Sequence, residues 1–329
     1  MKTACKYISV FLVLTVVLCL GLTGCGGNKP DVLIYTSSED FKIESMSAAL
    51  KEKFPDYDIA VEYVSTGEHA AKLLAEGSAS ECDITHDLDY GYLAKLDAAG
   101  VLADLSAYDK SIYMPDTCLG DNYIIELRNS GAIIVNTNIL TQKNLPAPTC
   151  YEDLLKPEYK GLISMPNPKA SGTGFMFLKS LVNVWGEEKA YQYFDKLTEN
   201  VQSYTSSGSG PVQKLIQGEV AIGLGMTAQA VTEINKGAPL QILFFAEGAP
   251  YTLYGQSIIK GKETDPKVKE VFDYLVNEYN HINNEKFFPE QIYKGKTYSV
   301  KNYPTEIPYA DMKNNTIEEK ERLLEKWAH

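Results

Sequence analysis

The chain has 329 residues, of which 44% are hydrophobic and 11% aromatic, and it carries 31 Lys+Arg against 43 Asp+Glu for a formal net charge of −12. That acidic balance argues against nucleic acid and against broad contact with anionic lipid, while a small anion held locally by backbone donors remains compatible with it. The length suits two domains or lobes of about 150 residues each with a substantial core, and 22 Tyr suit both that core and a cleft for small polar solutes.

At the N-terminus, Lys2 and Lys6 precede an apolar stretch, residues 8–22, that is too short for a comfortable bilayer span and reads as a signal peptide. Its end, Leu22-Thr23-Gly24-Cys25, resembles the lipobox of bacterial lipoproteins. The resemblance implies cleavage before Cys25 and lipidation of that residue, so that residues 1–25 are signal and lipid-bearing cysteine, residues 26–30 a polar tether, and the lipid the only membrane contact. Losing Lys2 and Lys6 takes the net charge from −12 to −14. Cys82, Cys118 and Cys150 remain, an odd number at unrelated spacings that defines no disulfide framework.

From residue 31 the chain alternates strand, polar turn and helix. Val32-Leu33-Ile34-Tyr35 empties into Thr36-Ser37-Ser38-Glu39-Asp40, after which Ile43, Met46, Leu50 and Phe54 mark a helical face. Residues 59–64 run into Ser65-Thr66-Gly67-Glu68 and a second helix, and residues 82–85 form a strand ending at His86-Asp87, before a helix over 92–99. Residues 131–137 read as a crossing into a second lobe. There residues 163–165 form a strand whose outlet is Ser171-Gly172-Thr173-Gly174, with an all-round apolar helix beyond. A helix over 187–197, a strand over 201–205 ending in Ser206-Ser207-Gly208-Ser209, and strands at 220–224 and 240–245 follow, before a second crossing at 256–259. The alternation predicts an α/β protein with mainly parallel, doubly wound sheets. Two crossings predict discontinuous lobes, 31–127 with 256–290 and 128–255 with 291–329. Thr316 and Glu319 have capping-box spacing for a terminal surface helix docked through Leu323, Leu324 and Trp327.

Four outlets, at Ser37-Ser38, Ser65-Thr66-Gly67, Ser171-Gly172-Thr173-Gly174 and Ser207-Gly208-Ser209, fall at the carboxyl ends of strands, where open parallel sheets bind ligands. Small hydroxyl residues and glycines at helix starts expose N–H groups to an anion. Any one of these segments alone reads as ordinary capping, with Ser65 and Glu68 as a capping box; the recurrence carries the functional reading. A helix terminus contributes about 0.3 to 1 kcal/mol, so four give at most about 4, whereas micromolar binding needs about 8. Charge-assisted hydrogen bonds in a cleft that shuts out water must supply the rest.

A resemblance rests on the run from 151 to 225. Its pieces are Glu152-Asp153-Leu154-Leu155, Pro157-Glu158-Tyr159-Lys160-Gly161, Met165-Pro166-Asn167-Pro168, Ser171-Gly172-Thr173-Gly174, Trp185-Gly186-Glu187, Tyr204-Thr205-Ser206-Ser207-Gly208-Ser209 and Gly218-Glu219. Looser matches are Tyr35-Thr36-Ser37, Thr66-Gly67-Glu68 and Glu247-Gly248-Ala249-Pro250. Together they resemble the extracellular solute-binding proteins grouped with ferric-iron, sugar-phosphate and aminoethylphosphonate importers. The resemblance implies a type II periplasmic-binding-protein fold, each lobe a mainly parallel sheet flanked by helices with the ligand cleft between. It also implies a monomer outside the cytoplasm that delivers a small solute to an ABC permease and its ATPase. Iron-binding members carry adjacent tyrosines where this chain has Gly225-Met226-Thr227-Ala228, which argues against a metal and leaves phosphorylated or phosphonate ligands, with ferric iron as the alternative. Candidate ligand-binding residues are thus Thr36, Ser37, Ser38, Ser65, Thr66, Gly67, Ser171, Gly172, Thr173, Gly174, Ser207, Gly208 and Ser209. To these are added Asp87, Glu247, Tyr251 and Tyr254, of which the two carboxylates suit an amine or sugar hydroxyls.

Two readings of another class compete. Gly223-Leu224-Gly225-Met226-Thr227-Ala228 matches a relaxed dinucleotide fingerprint with Glu247 about 20 residues on, the pattern of a Rossmann-type NAD-dependent oxidoreductase. An export signal argues against that cofactor. His86-Asp87 would be the acid/base pair of a hydrolase, but there is no nucleophile elbow and no metal-binding pair of histidines, so neither catalysis nor a cofactor is expected.

Overall fold

The computed structural model describes residues 29–329; the signal segment, Cys25 and the start of the tether lie outside the described residues. In chain order, β1 (Val32–Thr36) feeds α1 (Asp40–Lys53), β2 (Ile59–Tyr63) feeds α2 (Thr66–Glu76), and β3 (Ile84–Asp89) feeds α3 (Tyr90–Ala98). The long β4 (Ile124–Asn136) leads to α4 (Thr137–Gln142), and β5 (Ile163–Pro166) to α5 (Gly172–Trp185) and α6 (Glu187–Leu197). Next come β6 (Val201–Thr205), α7 (Gly210–Gln217), β7 (Ile222–Met226), α8 (Thr227–Asn235), β8 (Leu240–Leu243) and β9 (Tyr251–Ile258). The chain closes with α9 (Pro266–Tyr274), a π-helical turn (Leu275–Tyr279), α10 (Asn280–Lys286) and α11 (Ile317–Lys326). Among the described residues no helix is long and apolar enough to cross a membrane.

The strand order is β2-β1-β3-β9-β4-β7-β5-β6, with β8 also paired to β4. β1 is parallel to β2 and β3, and β5 is parallel to β6 and β7, as strand–helix alternation requires. β1, β3, β5 and β7 are buried along their whole length, which is why β1, β5 and β7 read as short apolar runs rather than alternating ones, while β3 buries the polar Thr85, His86, Asp87 and Asp89. β4 and β9 run antiparallel to their neighbours and join the two halves. β4 pairs with β9 through Ser130 and with β7 and β8 beyond it, and the Gly131 N–H donates to the Pro250 carbonyl at 2.7 Å.

The first half has a core on each face of its sheet, one around Val32, Ile34 and Phe272 and one around Leu33, Leu73 and Leu96. The second half packs α5 and α6 on one face, with Phe175, Phe177, Leu181 and Phe194, and α7 and α8 on the other. β4, which contains most of the crossing read over 131–137, changes partners between Ser130 and Gly131. The return, expected at 256, begins with β9 at Tyr251. Ile292 and Tyr293 pack in the first-half core, Tyr303 clusters with Ala228 and Val231 of α8, and Ala310 and Met312 pack in the second-half core. Thr316 caps α11 by accepting from the Glu319 N–H, and Leu323 and Trp327 are buried in the second-half core with Leu324 against its edge.

Candidate functional site

Loops following β1, β2, β5 and β6, together with the bulge within β3, converge on a cavity of about 300 Å³ at the seam between the halves. It is lined from the first half by Ser37, Ser38, Glu39, Asp40, Lys42, Tyr63, Thr66 and Asp87, and from the second by Ala170, Ser171, Gly172, Thr173, Ser206, Ser207, Gly208, Ser209 and Gln213. Asn129 of β4 and Tyr254 of β9 come from the joining strands. All four predicted outlets therefore contribute to one cavity.

Four helices begin here, α1, α2, α5 and α7, with Glu39, Ser65, Ser171 and Ser209 as their N-caps, and none of these side chains accepts a capping hydrogen bond. Away from the cavity lining the polar N-caps Asp89, Asn136, Asp265 and Thr316 all do so. Ser65 turns its hydroxyl onto Glu68 at 3.4 Å instead of completing a capping box. First-turn N–H groups are thus left for a ligand on α2 and α5, whereas in α1 the Lys42 N–H donates to the Glu39 carbonyl at 2.9 Å, and in α7 the Gly210 N–H donates to the Ser207 carbonyl at 3.3 Å and Pro211 has none to offer.

The two walls differ in chemistry. On the second-half wall Gly208 passes so close to Thr173 that a Cβ there would lie 2.3 Å from the Thr173 Oγ1, and Ser207 and Ser209 share a hydroxyl contact of 3.0 Å. No charged side chain lines this wall. On the first-half wall the β3–β9 register slips between Thr85 and Leu88, and Asp87 takes a left-handed backbone with φ 51°. Such a bulge re-aims a side chain, and Asp tolerates that conformation better than most residues. Asp87 Oδ2 accepts from the Ser38 hydroxyl at 2.6 Å and from the Lys42 ammonium. Burial alone would lower the Lys42 pKa, but Asp87, Glu39 and Glu126 outweigh it and hold it raised. Burial opposes ionisation of Asp87 as well, yet Lys42 and His86 keep its carboxyl below the ordinary range. Glu39, 3.9 Å from Lys42, is pushed up to about 7 by burial.

Several predicted residues do not line the cavity. Thr36 lies beneath it, donating to the Ser38 Oγ at 2.9 Å. Ser65 and Gly67 stand behind Thr66; a Cβ on Gly67 would come within 3.7 Å of the Lys169 carbonyl across the seam. Gly174 is turned away, its missing Cβ making room for the Pro166-Asn167-Pro168 backbone. Glu247 sits beside Tyr151 and Tyr193 of the second-half core, and Tyr251 packs against Tyr309 under Arg128. The candidate residues read from the sequence omitted Glu39, Asp40, Lys42, Tyr63, Asn129, Ala170, Ser206 and Gln213 of this lining. Glu39, Asp40 and Ser206 belong to the polar outlets, and Asn129 to the polar interruption Arg128-Asn129-Ser130 in a buried strand.

The competing readings find other uses for their residues. Cβ atoms on Gly223 and Gly225 would press on Leu215 at 2.9 Å and Val212 at 3.1 Å, so these glycines seat α7 on β7. His86 turns to Glu126 at 2.9 Å while Asp87 turns to Lys42, so the neighbours form no acid/base pair. Among the described residues no group of three or more His, Cys, Asp and Glu is placed to hold a metal ion.

Comparison with known proteins places the chain. It is 27% identical to an uncharacterized protein of Haemophilus influenzae over 94% of this chain and 93% of that one. The fold is similar to the periplasmic binding protein AfuA from Actinobacillus pleuropneumoniae with fructose-6-phosphate bound, at TM-score 0.79 and 24% identity over 90% of this chain and 97% of that one. It is similar too to iron-bound HitA from Pseudomonas aeruginosa, at TM-score 0.70 and 17% identity over 89% and 98%. These likenesses make the fold that of the type II periplasmic binding proteins. Residues 45–278 match the bacterial extracellular solute-binding proteins, and the chain belongs to that family.

Proposed function

We propose that the protein captures a small organic phosphate or phosphonate between its two halves and hands it to the permease and ATPase of an ABC importer, working as a monomer tethered outside the cell membrane through a lipid on Cys25. The observation that carries the ligand class is the second-half wall, where α5 and α7 present uncapped N-termini beside the Thr173, Ser207 and Ser209 hydroxyls with no charged side chain among them. Oriented N–H and O–H donors of that kind match the non-bridging oxygens of a phosphorus oxyanion. AfuA, similar in fold, has a sugar phosphate bound. The anchor rests on the lipobox at Leu22-Thr23-Gly24-Cys25.

Isothermal titration with phosphate esters and phosphonates, with ferric iron as the rival, tests the reading. Thr173→Ala combined with Ser207→Ala is expected to weaken phosphate-ester binding about tenfold or more, from about 1 kcal/mol or more per lost charge-assisted bond. Unchanged affinity in that variant, or tight binding of iron alone, would overturn the assignment.

A further inference from the structure

Ser37 and Ser38 stand side by side on the first-half wall, and the residues beneath them hold their hydroxyls in opposite senses. The Ser38 hydroxyl donates to Asp87 Oδ2 at 2.6 Å, because an ionised carboxylate only accepts, and its oxygen accepts from the Thr36 hydroxyl at 2.9 Å. Its one proton is spent, so a solute meets Ser38 as an acceptor.

Ser37 is governed by a different residue. Its Oγ lies 2.9 Å from Nδ1 of His69 on α2, and Nε2 of the same ring lies 3.0 Å from the Thr85 Oγ1 of β3. His69 is 0% exposed and stands behind the cavity lining rather than in it. Burial pushes its pKa down to about 3, with Asp87 opposing and His86 and Lys72 reinforcing the effect, so the ring is neutral and carries a single proton.

That proton has two places to sit. On Nε2 it goes to Thr85 and forces Ser37 to donate to Nδ1; the Thr85 hydroxyl, fully buried and with no other partner among the described residues, then keeps a proton that nothing accepts. On Nδ1 it goes to Ser37, Thr85 donates to Nε2, and the one proton left over is that of Ser37 at the cavity. A buried donor without an acceptor bears its full desolvation cost, whereas the Ser37 proton has water or a solute to receive it, so the second arrangement is the favoured one.

We propose that His69 is a positioning residue: as the Nδ1–H tautomer it completes a buried relay, from Thr85 through His69 to Ser37, that turns the Ser37 hydroxyl into the cavity as a donor to the solute. The two neighbouring serines then present one donor and one acceptor at fixed places, and the first-half wall donates to a solute oxygen through Ser37 and not through Ser38. The tautomer belongs to the free chain, while its effect on a bound solute rests on the anion assignment above.

Nitrogen-15 NMR of the imidazole rings in the folded, ligand-free chain at neutral pH reads the tautomer. His69 is expected to be protonated at Nδ1 alone; protonation at Nε2 alone, or at both nitrogens, would overturn the proposal. Isothermal titration with fructose 6-phosphate and inorganic phosphate reads the consequence. Ser37→Ala is expected to weaken binding about tenfold in the native chain and less than about twofold in a His69→Phe background, since Phe keeps the bulk of the ring and removes the donor that orients Ser37. Circular dichroism reports whether His69→Phe is folded, and the ring spectrum of the native chain decides the matter if it is not. Equal losses in the two backgrounds would reduce His69 to a packing residue and overturn the proposal. If neither phosphate binds the native chain, the anion reading falls by itself, and the ring spectrum still sustains or overturns the assignment of His69.

Discussion

The Lys42–Asp87 pair offers the sharpest test of the site's electrostatics. Both side chains are almost fully buried, at 3% and 4% exposure, and Lys42 also faces Glu39 at 3.9 Å and the Phe288 ring at 4.8 Å. Lys42→Met keeps most of the stem that packs on Phe288 and removes the charge. Asp87 is then left buried with the Ser38 hydroxyl as its remaining partner and Glu39 as a like-charged neighbour. Removing one member of a buried pair costs about 3 to 5 kcal/mol, because the other charge stays desolvated. The stranded carboxyl can escape only by taking up a proton, so the cost is largest near neutral pH and shrinks as the solution is acidified. Urea unfolding at neutral and mildly acidic pH, followed by tyrosine and tryptophan fluorescence, measures both effects. Adding Asp87→Asn to the variant should recover most of the loss at neutral pH. A cost below about 1 kcal/mol, or a loss that does not shrink in acid, would mean that the pair is not a desolvated ion pair and that the first-half wall is wetter than argued here.

Two further outcomes follow from the same geometry. A Cβ at Gly174 would lie 2.5 Å from the Pro166 carbonyl oxygen and 2.7 Å from the Asn167 carbonyl carbon, both backbone, so Gly174→Ala is expected to cost about 1 to 3 kcal/mol by overpacking and to lower the melting temperature by several degrees. Because the start of α5 must shift, phosphate-ester affinity should fall as well; an unaltered melting temperature would count against the close approach. Glu39, held near 7 against an ordinary 4.5, binds a proton in the folded chain that the unfolded chain has released, so stability should fall as pH rises from about 4.5 to 7, by up to roughly 3 kcal/mol. The groups facing it are Lys42, which opposes this rise, and Asp87 and Asp40, which add to it. Comparing melting temperatures across that range should show a shallower slope in Glu39→Gln; an identical slope would place the titration elsewhere.

How much of this was legible in the sequence depended on whether a residue's partner was local. The α6 and β6 segments could be read to the residue, 187–197 and 201–205, because their apolar spacing is self-contained. β4 showed only its second half: Glu126, Asn129 and Ser130 look like loop residues until their partners His86, Met226 and Glu290 are known. Lys42 was overlooked in the same way. The reading put Ile43 on the buried face of α1, but the face rotates to Lys42, Met46 and Leu50, and only Asp87, 45 residues away, makes a buried lysine possible there. Hydroxyl and glycine outlets were legible because parallel strands deliver them to one edge of the sheet. The pairing of Tyr251 with Tyr254 was an avoidable error: in a strand, residues three apart point to opposite faces, and only Tyr254 turns to the cavity.

The asymmetry of the walls bears on how binding could close the cleft. A ligand shifts a conformational equilibrium only through a difference in affinity between the open and closed states. A bare oxyanion engages only N–H and hydroxyl donors, and even four helix termini at about 0.3 to 1 kcal/mol each give at most about 4 of the roughly 8 kcal/mol that micromolar capture requires. It also leaves Asp87 Oδ1 and Asn129 Oδ1 facing a group that cannot donate to them. A solute with an oxyanion at one end and donors at the other satisfies both walls only when they are brought together around it. The joining strands allow that movement to be concentrated in few residues, since β4 changes partners between Ser130 and Gly131 and β9 enters at Tyr251. Asn129 lines the cavity and stands next to Ser130, the last residue of β4 paired with β9, so a solute that touched it there would be coupled to the segment where the halves join.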